Sequence, residues 1–152
     1  MNQAVKSKNT PRAKSVVSKK TAIVSVTVTI EPTQKWQNSD DIKWAVRHWA
    51  TRMSVKVNQI HLRLMKNKWA SMSTSGRLTL NTELLQLPKE LGEFAIVHEL
   101  VHLLVPNHGK VFKMFMFAYL PNWEDRELRL QSLIIKYSNG IAPTGLKSNP
   151  KQ

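Results

Sequence analysis

FAIVHELVHLLVPNHGKVF, residues 94–112, is the stretch whose reading decides the fold. It is apolar along most of its length, yet it carries His98, Glu99, His102 and His108. Taking polar side chains out of water without partners is costly, so the segment implies something that satisfies these groups together. On a helix, residues four apart project from one face, one turn apart. His98 and His102 therefore stand side by side, and both imidazoles can reach a single metal ion roughly 2.0–2.1 Å away. Glu99, one residue step round from His98, is placed to hold a water on that ion without ligating it. This is the physical content of H-E-x-x-H.

A catalytic zinc takes three protein ligands and keeps one position open. Pro106 disfavours helical geometry at Val105 and removes a backbone donor, so a helix starting near Pro88 is expected to stop at about Val105. The chain then turns through Asn107 and can bring His108 back toward the ion. The expected site is one Zn2+ held by His98, His102 and His108, with Glu99 as catalytic base. Glu124 or Glu127, on the following helix, is the alternative third ligand. The H-x3-H-x5-H spacing matches that of metzincins, with Val105 where they carry the turn glycine. Zinc is the default for a three-histidine set, although imidazole also suits iron, nickel or copper.

Outward from this segment, the pattern predicts an α+β domain in which a small mixed sheet is backed by helices. Ala22, Val24, Val26, Val28 and Ile30 alternate with Ser and Thr as in a half-buried strand, ended by Pro32. Ser39 or Asp40 is expected to cap a helix whose Ile42, Ala45, Val46, Trp49, Ala50 and Met53 face the core. Val57 to Met65 reads as a strand with Ile60, Leu62 and Leu64 on one face. Trp69 to Asn81 reads as a hairpin turning at Ser75-Gly76, with Leu78 and Leu80 inward. Thr82 to Leu87 is a short turn or helix, and helices follow over Lys110 to Leu120 and Trp123 to Tyr137. His48 and His61 read as ordinary polar residues. Trp44, Trp49 and Trp69 read as packing groups, and the cluster of Phe112, Met114, Phe115, Met116 and Phe117 as core. Arg77 and Tyr119 are candidates for stabilising an oxyanion.

The chain has 152 residues and no cysteine, which excludes disulfides, iron–sulfur clusters, thiolate metal sites and a cysteine nucleophile. No apolar run spans a bilayer, and the N-terminus lacks the apolar region of a secretory signal, so a non-exported, cytoplasmic protein is expected. The net charge is +13. Residues 1–20 hold six Lys or Arg and no acid, and read as a disordered basic tail. Residues 21–137 form the expected catalytic domain, and 138–152, with Lys147 and Lys151, a loose basic tail. Basic arms suit nucleic acid through counterion release; solubilising tails have the same composition.

Three segments in order carry a family resemblance: RLMKNKWASMSTSGRLTLNTELLQLP (63–88), residues 94–112, and AYLPNWEDRE (118–127). Together they resemble the YgjP-like metallopeptidase-fold domain, within the zincin superfamily that includes SprT-like and WLM proteases. The resemblance covers roughly residues 40–135. It implies a minimal zincin-like fold, zinc at His98, His102 and His108, and Glu99 as base. It also implies a cleft strand, assigned to Arg77, Leu78, Thr79, Leu80 and Asn81, that pairs with an extended peptide. The family's W-G-S-C-S segment is here Trp69-Ala70-Ser71-Met72-Ser73, and its N-H-S is Asn107-His108-Gly109.

The expected activity is hydrolysis of peptide bonds in a protein or peptide substrate. Two rivals keep the metal: a phosphohydrolase acting on nucleotides, and a nucleic-acid-associated protease of the SprT-like kind. A non-catalytic role of the same fold is the fourth reading.

Overall fold

Asn38, rather than Ser39 or Asp40, caps the first helix of the computed structural model, which describes residues 34–138. Its side-chain oxygen accepts the backbone N–H groups of Asp40 at 2.9 Å and Asp41 at 3.0 Å. Such a cap satisfies donors that the first helical turn leaves unpaired. The expected strand at 22–30 and the two basic tails lie outside the described residues, apart from Ser138 at the start of the second. That residue closes the last helix.

The capped helix, α1, spans Ser39–Arg52 and buries Ile42, Ala45, Val46, Trp49 and Ala50; Met53 is buried just beyond it. Three strands follow, β1 (Gln59–Arg63), β2 (Ala70–Met72) and β3 (Arg77–Asn81). Strand β1 is shorter than its pattern suggested, so Leu64 falls beyond its end and is 68% exposed. The β2–β3 hairpin turns at Gly76, whose φ of +75° suits a residue without a Cβ. Its Leu78 and Leu80 are fully buried. Spatial order is β1-β3-β2: β3 lies in the middle, parallel to β1 and antiparallel to β2.

A 3-10 helix, Thr82–Gln86, leads into α2 (Lys89–Val101), then α3 (Lys110–Tyr119) and α4 (Trp123–Ser138). Asn81 pins this junction. Its buried side chain donates to the carbonyls of Met65 and Lys68 and accepts the N–H of Glu83. Leu91, Phe94, Ile96, Val97, Leu100 and Val101 of α2 are all buried, because this helix packs between the sheet side of the core and the other helices. Among the described residues no helix is long and apolar enough to cross a membrane.

Two packing expectations fail. Trp44 is 58% exposed and stacks on His48 at 5.0 Å instead of entering the core. In α3 only Phe112 and Met116 are buried, whereas Met114 and Phe117 are 62% and 63% exposed. That helix is apolar nearly all round, so composition could not say which stripe faces inward.

Candidate active site

Regular α-helix ends at Val101, four residues before the position that Pro106 suggested. Beyond it the chain tightens, with the N–H groups of Leu103 and Leu104 bonded to the carbonyls of Leu100 and Val101. His102 keeps helical angles (φ −63°, ψ −20°), so the four-residue spacing from His98 survives, and their ring centroids lie 5.1 Å apart. The chain turns through 106–109, and His108 comes back to sit 5.0 Å from the His98 ring and 4.6 Å from the His102 ring.

One ring nitrogen from each histidine falls within 4.8 Å of the others, an arrangement that could hold a metal ion. His98 Nε2 and His108 Nε2 face each other at 3.0 Å. Two nitrogens bound to one ion at the tetrahedral angle, each 2.0–2.1 Å from it, stand roughly 3.3 Å apart, so the observed pair is close to ligand spacing. His102 Nδ1 lies 3.3 Å from the carbonyl oxygen of Val105, which favours the tautomer protonated at Nδ1 and leaves Nε2 with its lone pair. His98 Nδ1 is buried without a hydrogen-bond partner among the described residues. Packing orients that ring instead, with Phe94 at 5.6 Å and Phe112 at 5.0 Å. Burial, followed by the charges of His102 and His108, lowers the His98 pKa to about 4, so its imidazole is neutral near pH 7. Neutral imidazoles are what a metal requires. The donor set therefore fits a divalent ion. Neither Glu124 nor Glu127 joins the group.

Glu99 is held from the sheet. Its Oε2 accepts the backbone N–H of Met72 at 2.8 Å. Burial pushes the carboxyl above its usual range, against the opposing pull of that N–H, Lys68 and His108. Oε1 makes no hydrogen bond among the described residues. A cavity of about 380 Å³ opens beside the histidines and Glu99, walled by β2, α2 and α4. Phe94, Leu130, Ile134 and Met72 make it mainly apolar, and Glu127 lies on its lining. Trp69 donates its indole N–H to the Leu130 carbonyl at 3.2 Å and so ties the start of β2 to α4 across the cleft.

The strand expected to line the cleft is not the one that does. Arg77, Leu78, Thr79, Leu80 and Asn81 form the central strand, paired on both sides, and none of them lines the cavity. A strand with both edges occupied cannot accept another. Among the described residues β2 lies at the edge instead. Asn81 N–H bonds Trp69 O, and Ser73 N–H bonds Arg77 O. By antiparallel alternation, Ala70 and Met72 turn their backbone groups to the open side. The reading of 77–81 missed this because edge and central strands alternate alike; the short Ala70–Met72 segment was the available signal. Arg77 and Tyr119 also stay out of the cleft: Arg77 lines a depression elsewhere on the sheet, and Tyr119 packs on Phe115 and Trp49. His48 and His61 are exposed and outside it.

Comparison with known proteins agrees with this geometry. The crystal structure of the metallopeptidase zymogen jannalysin from Methanocaldococcus jannaschii is 29% identical, with a TM-score of 0.55, over 60% of this chain and 96% of that one. The zymogen of abylysin from Pyrococcus abyssi, at 21% identity, has the same TM-score over 60% of this chain and 93% of its own, and shares the fold. No functionally curated protein matches the sequence. The family model for the YgjP-like metallopeptidase domain matches residues 3–133, so the chain belongs to the YgjP-like family of metallopeptidases.

Proposed function

We propose that the domain is a zinc-dependent peptidase in which His98, His102 and His108 hold one ion and Glu99 moves the proton. The observation that carries this reading is the convergence of one ring nitrogen from each of three imidazoles to within 4.8 Å, beside a carboxylate anchored to the edge strand. Three neutral nitrogen donors favour zinc among the common divalent ions, and such a set leaves a fourth position open. When bound, the ion polarises the scissile carbonyl and makes water acidic enough to lose a proton near neutral pH.

The chain's own residues do the rest. Met72 N–H fixes one oxygen of Glu99, which leaves Oε1 to accept the proton of the attacking water and then deliver it to the leaving amine. The open side of β2, at Ala70, offers backbone groups on which an extended peptide can lie by strand addition. The apolar wall of Phe94, Leu130 and Ile134 then receives a hydrophobic side chain next to the scissile bond. Phosphate-ester hydrolysis is the weaker reading, because among the described residues the cavity lining carries one lysine, Lys68, beside two glutamates.

The test is metal analysis of the purified protein together with casein, peptide-library and nucleoside-triphosphate assays, each run beside Glu99→Gln. One zinc per chain, with peptide cleavage that vanishes in Glu99→Gln, is the expected result. Phosphate release without peptide cleavage, or a fully active Glu99→Gln, would overturn it.

A further inference from the structure

Between Asp41 and Glu83 the chain carries eight Lys or Arg residues and neither Asp nor Glu. The fold gathers part of this excess on one surface. Ile60 and Leu62 of β1 pack toward the core, so Gln59, His61 and Arg63 turn outward, and all three are exposed. Register sets Gln59 beside Arg77, His61 beside Thr79, and Thr79 beside Ser71. His61, Arg63, Ser71, Ser73, Arg77 and Thr79 together line one shallow depression of about 280 Å³. Among the described residues no carboxylate borders it.

The two arginines there differ from those of α4. Arg129 pairs with Glu90 at 2.7 Å and Arg126 with Glu93 at 3.7 Å, whereas neither Arg63 nor Arg77 is in an ion pair among the described residues. Uncompensated like charge on a flat face raises the folding free energy through self-repulsion, and a polyanion would relieve it. Arg63 pairs in register with Asn81, four residues along β3 from Arg77. At 3.3 Å per residue the two arginines are rooted roughly 14 Å apart. That is about four phosphate-to-phosphate steps along one strand of a duplex, at roughly 3.4 Å each. The Thr79 hydroxyl lies between them, with Ser71 and Ser73 alongside on β2, and hydroxyls are common donors to phosphate oxygens. Among the described residues no Phe, Tyr or Trp lines the depression, so they offer none of the stacking platform that single strands use.

We propose that the outer face of the sheet docks double-stranded nucleic acid through its phosphates, by way of Arg63, Arg77 and His61, without reading bases. The surface is distinct from the cleft, touching it only at Ser71, and its test does not depend on catalysis.

Fluorescence anisotropy of the full chain with a labelled duplex of about 20 base pairs, over a salt series, reads the number of phosphates neutralised. Arg63→Ala combined with Arg77→Ala should flatten the slope of log K against log salt by about 1.8 and weaken binding 10- to 100-fold near 0.1 M salt. The pair Arg63→Lys and Arg77→Lys should retain most of the slope, and two unrelated duplex sequences should bind alike. Thermal unfolding confirms that the variants are folded. A slope unchanged in the alanine pair, no duplex binding by the parent chain at low salt, or equal or tighter binding of oligo-dT of the same length would each overturn the proposal.

Discussion

Replacing Met72 with proline removes one hydrogen-bond donor together with a side chain that lines the cleft. The Met72 N–H points away from β3, to the open side of the edge strand, where Glu99 Oε2 takes it at 2.8 Å. Proline there breaks no ladder bond, and edge positions are where sheets tolerate it. Ser71 before it is already extended, as a residue preceding proline prefers to be. What is lost is a hydrogen bond to a carboxylate, a kind that contributes about 1.5–3 kcal/mol. If that bond holds Glu99 in its working orientation, its loss lowers kcat by roughly 10- to 150-fold, at tenfold per 1.36 kcal/mol. The reference is Met72→Ala, which loses the same side chain from the cleft but keeps the N–H. Steady-state kinetics on a cleavable peptide, with metal content and melting temperature measured alongside, separates the two. Met72→Pro should keep its metal and its KM relative to Met72→Ala while kcat collapses. Equal kcat values for the two variants would refute the idea that the edge strand positions the base.

Other outcomes follow from the same geometry. Glu99→Gln should keep one metal ion per chain while kcat/KM falls by about 10²- to 10⁴-fold, the usual range for a lost general base, as read by metal analysis and peptide hydrolysis. His108→Ala should leave the fold intact, because His108 is exposed, yet lose metal to a mild chelator that the parent chain withstands; elemental analysis after dialysis checks it. Ile134→Trp narrows the apolar end of the cavity, so cleavage next to bulky side chains should fall about tenfold relative to cleavage next to alanine, seen by mass spectrometry of a peptide library. Gly92→Ala would put a Cβ 2.7 Å from the buried Trp36 ring. Overpacking of about 1–3 kcal/mol should exceed the roughly 1 kcal/mol gained in helix propensity, and calorimetry should show a lower melting temperature.

The local content of the site was legible in the chain itself. His98 and His102 share a face because a helix turns once in 3.6 residues, and Glu99 is their neighbour by the same geometry. The bend at Pro106-Asn107 could be recognised, and the hairpin at Ser75-Gly76 followed from alternation broken by a glycine. These are properties of a few consecutive residues, and they hold wherever the segment packs. The α1 cap moved by one residue to Asn38 because several adjacent polar side chains could do that job.

What the chain alone left open were choices between distant partners. Alternation shows that Leu78 and Leu80 point inward, but not that β3 lies between β1 and β2. Pairing with β1 and β2 uses both edges of β3, so among the described residues the open edge beside the cleft is at Ala70–Met72 and not at Arg77–Asn81. The same is true of Met114 and Phe117, which stay exposed because α2 covers only one stripe of an apolar helix. Periodicity along a chain says which way a side chain points relative to its neighbours. Which surface meets it is set by contacts between residues far apart in sequence, and those are fixed only when the whole core packs.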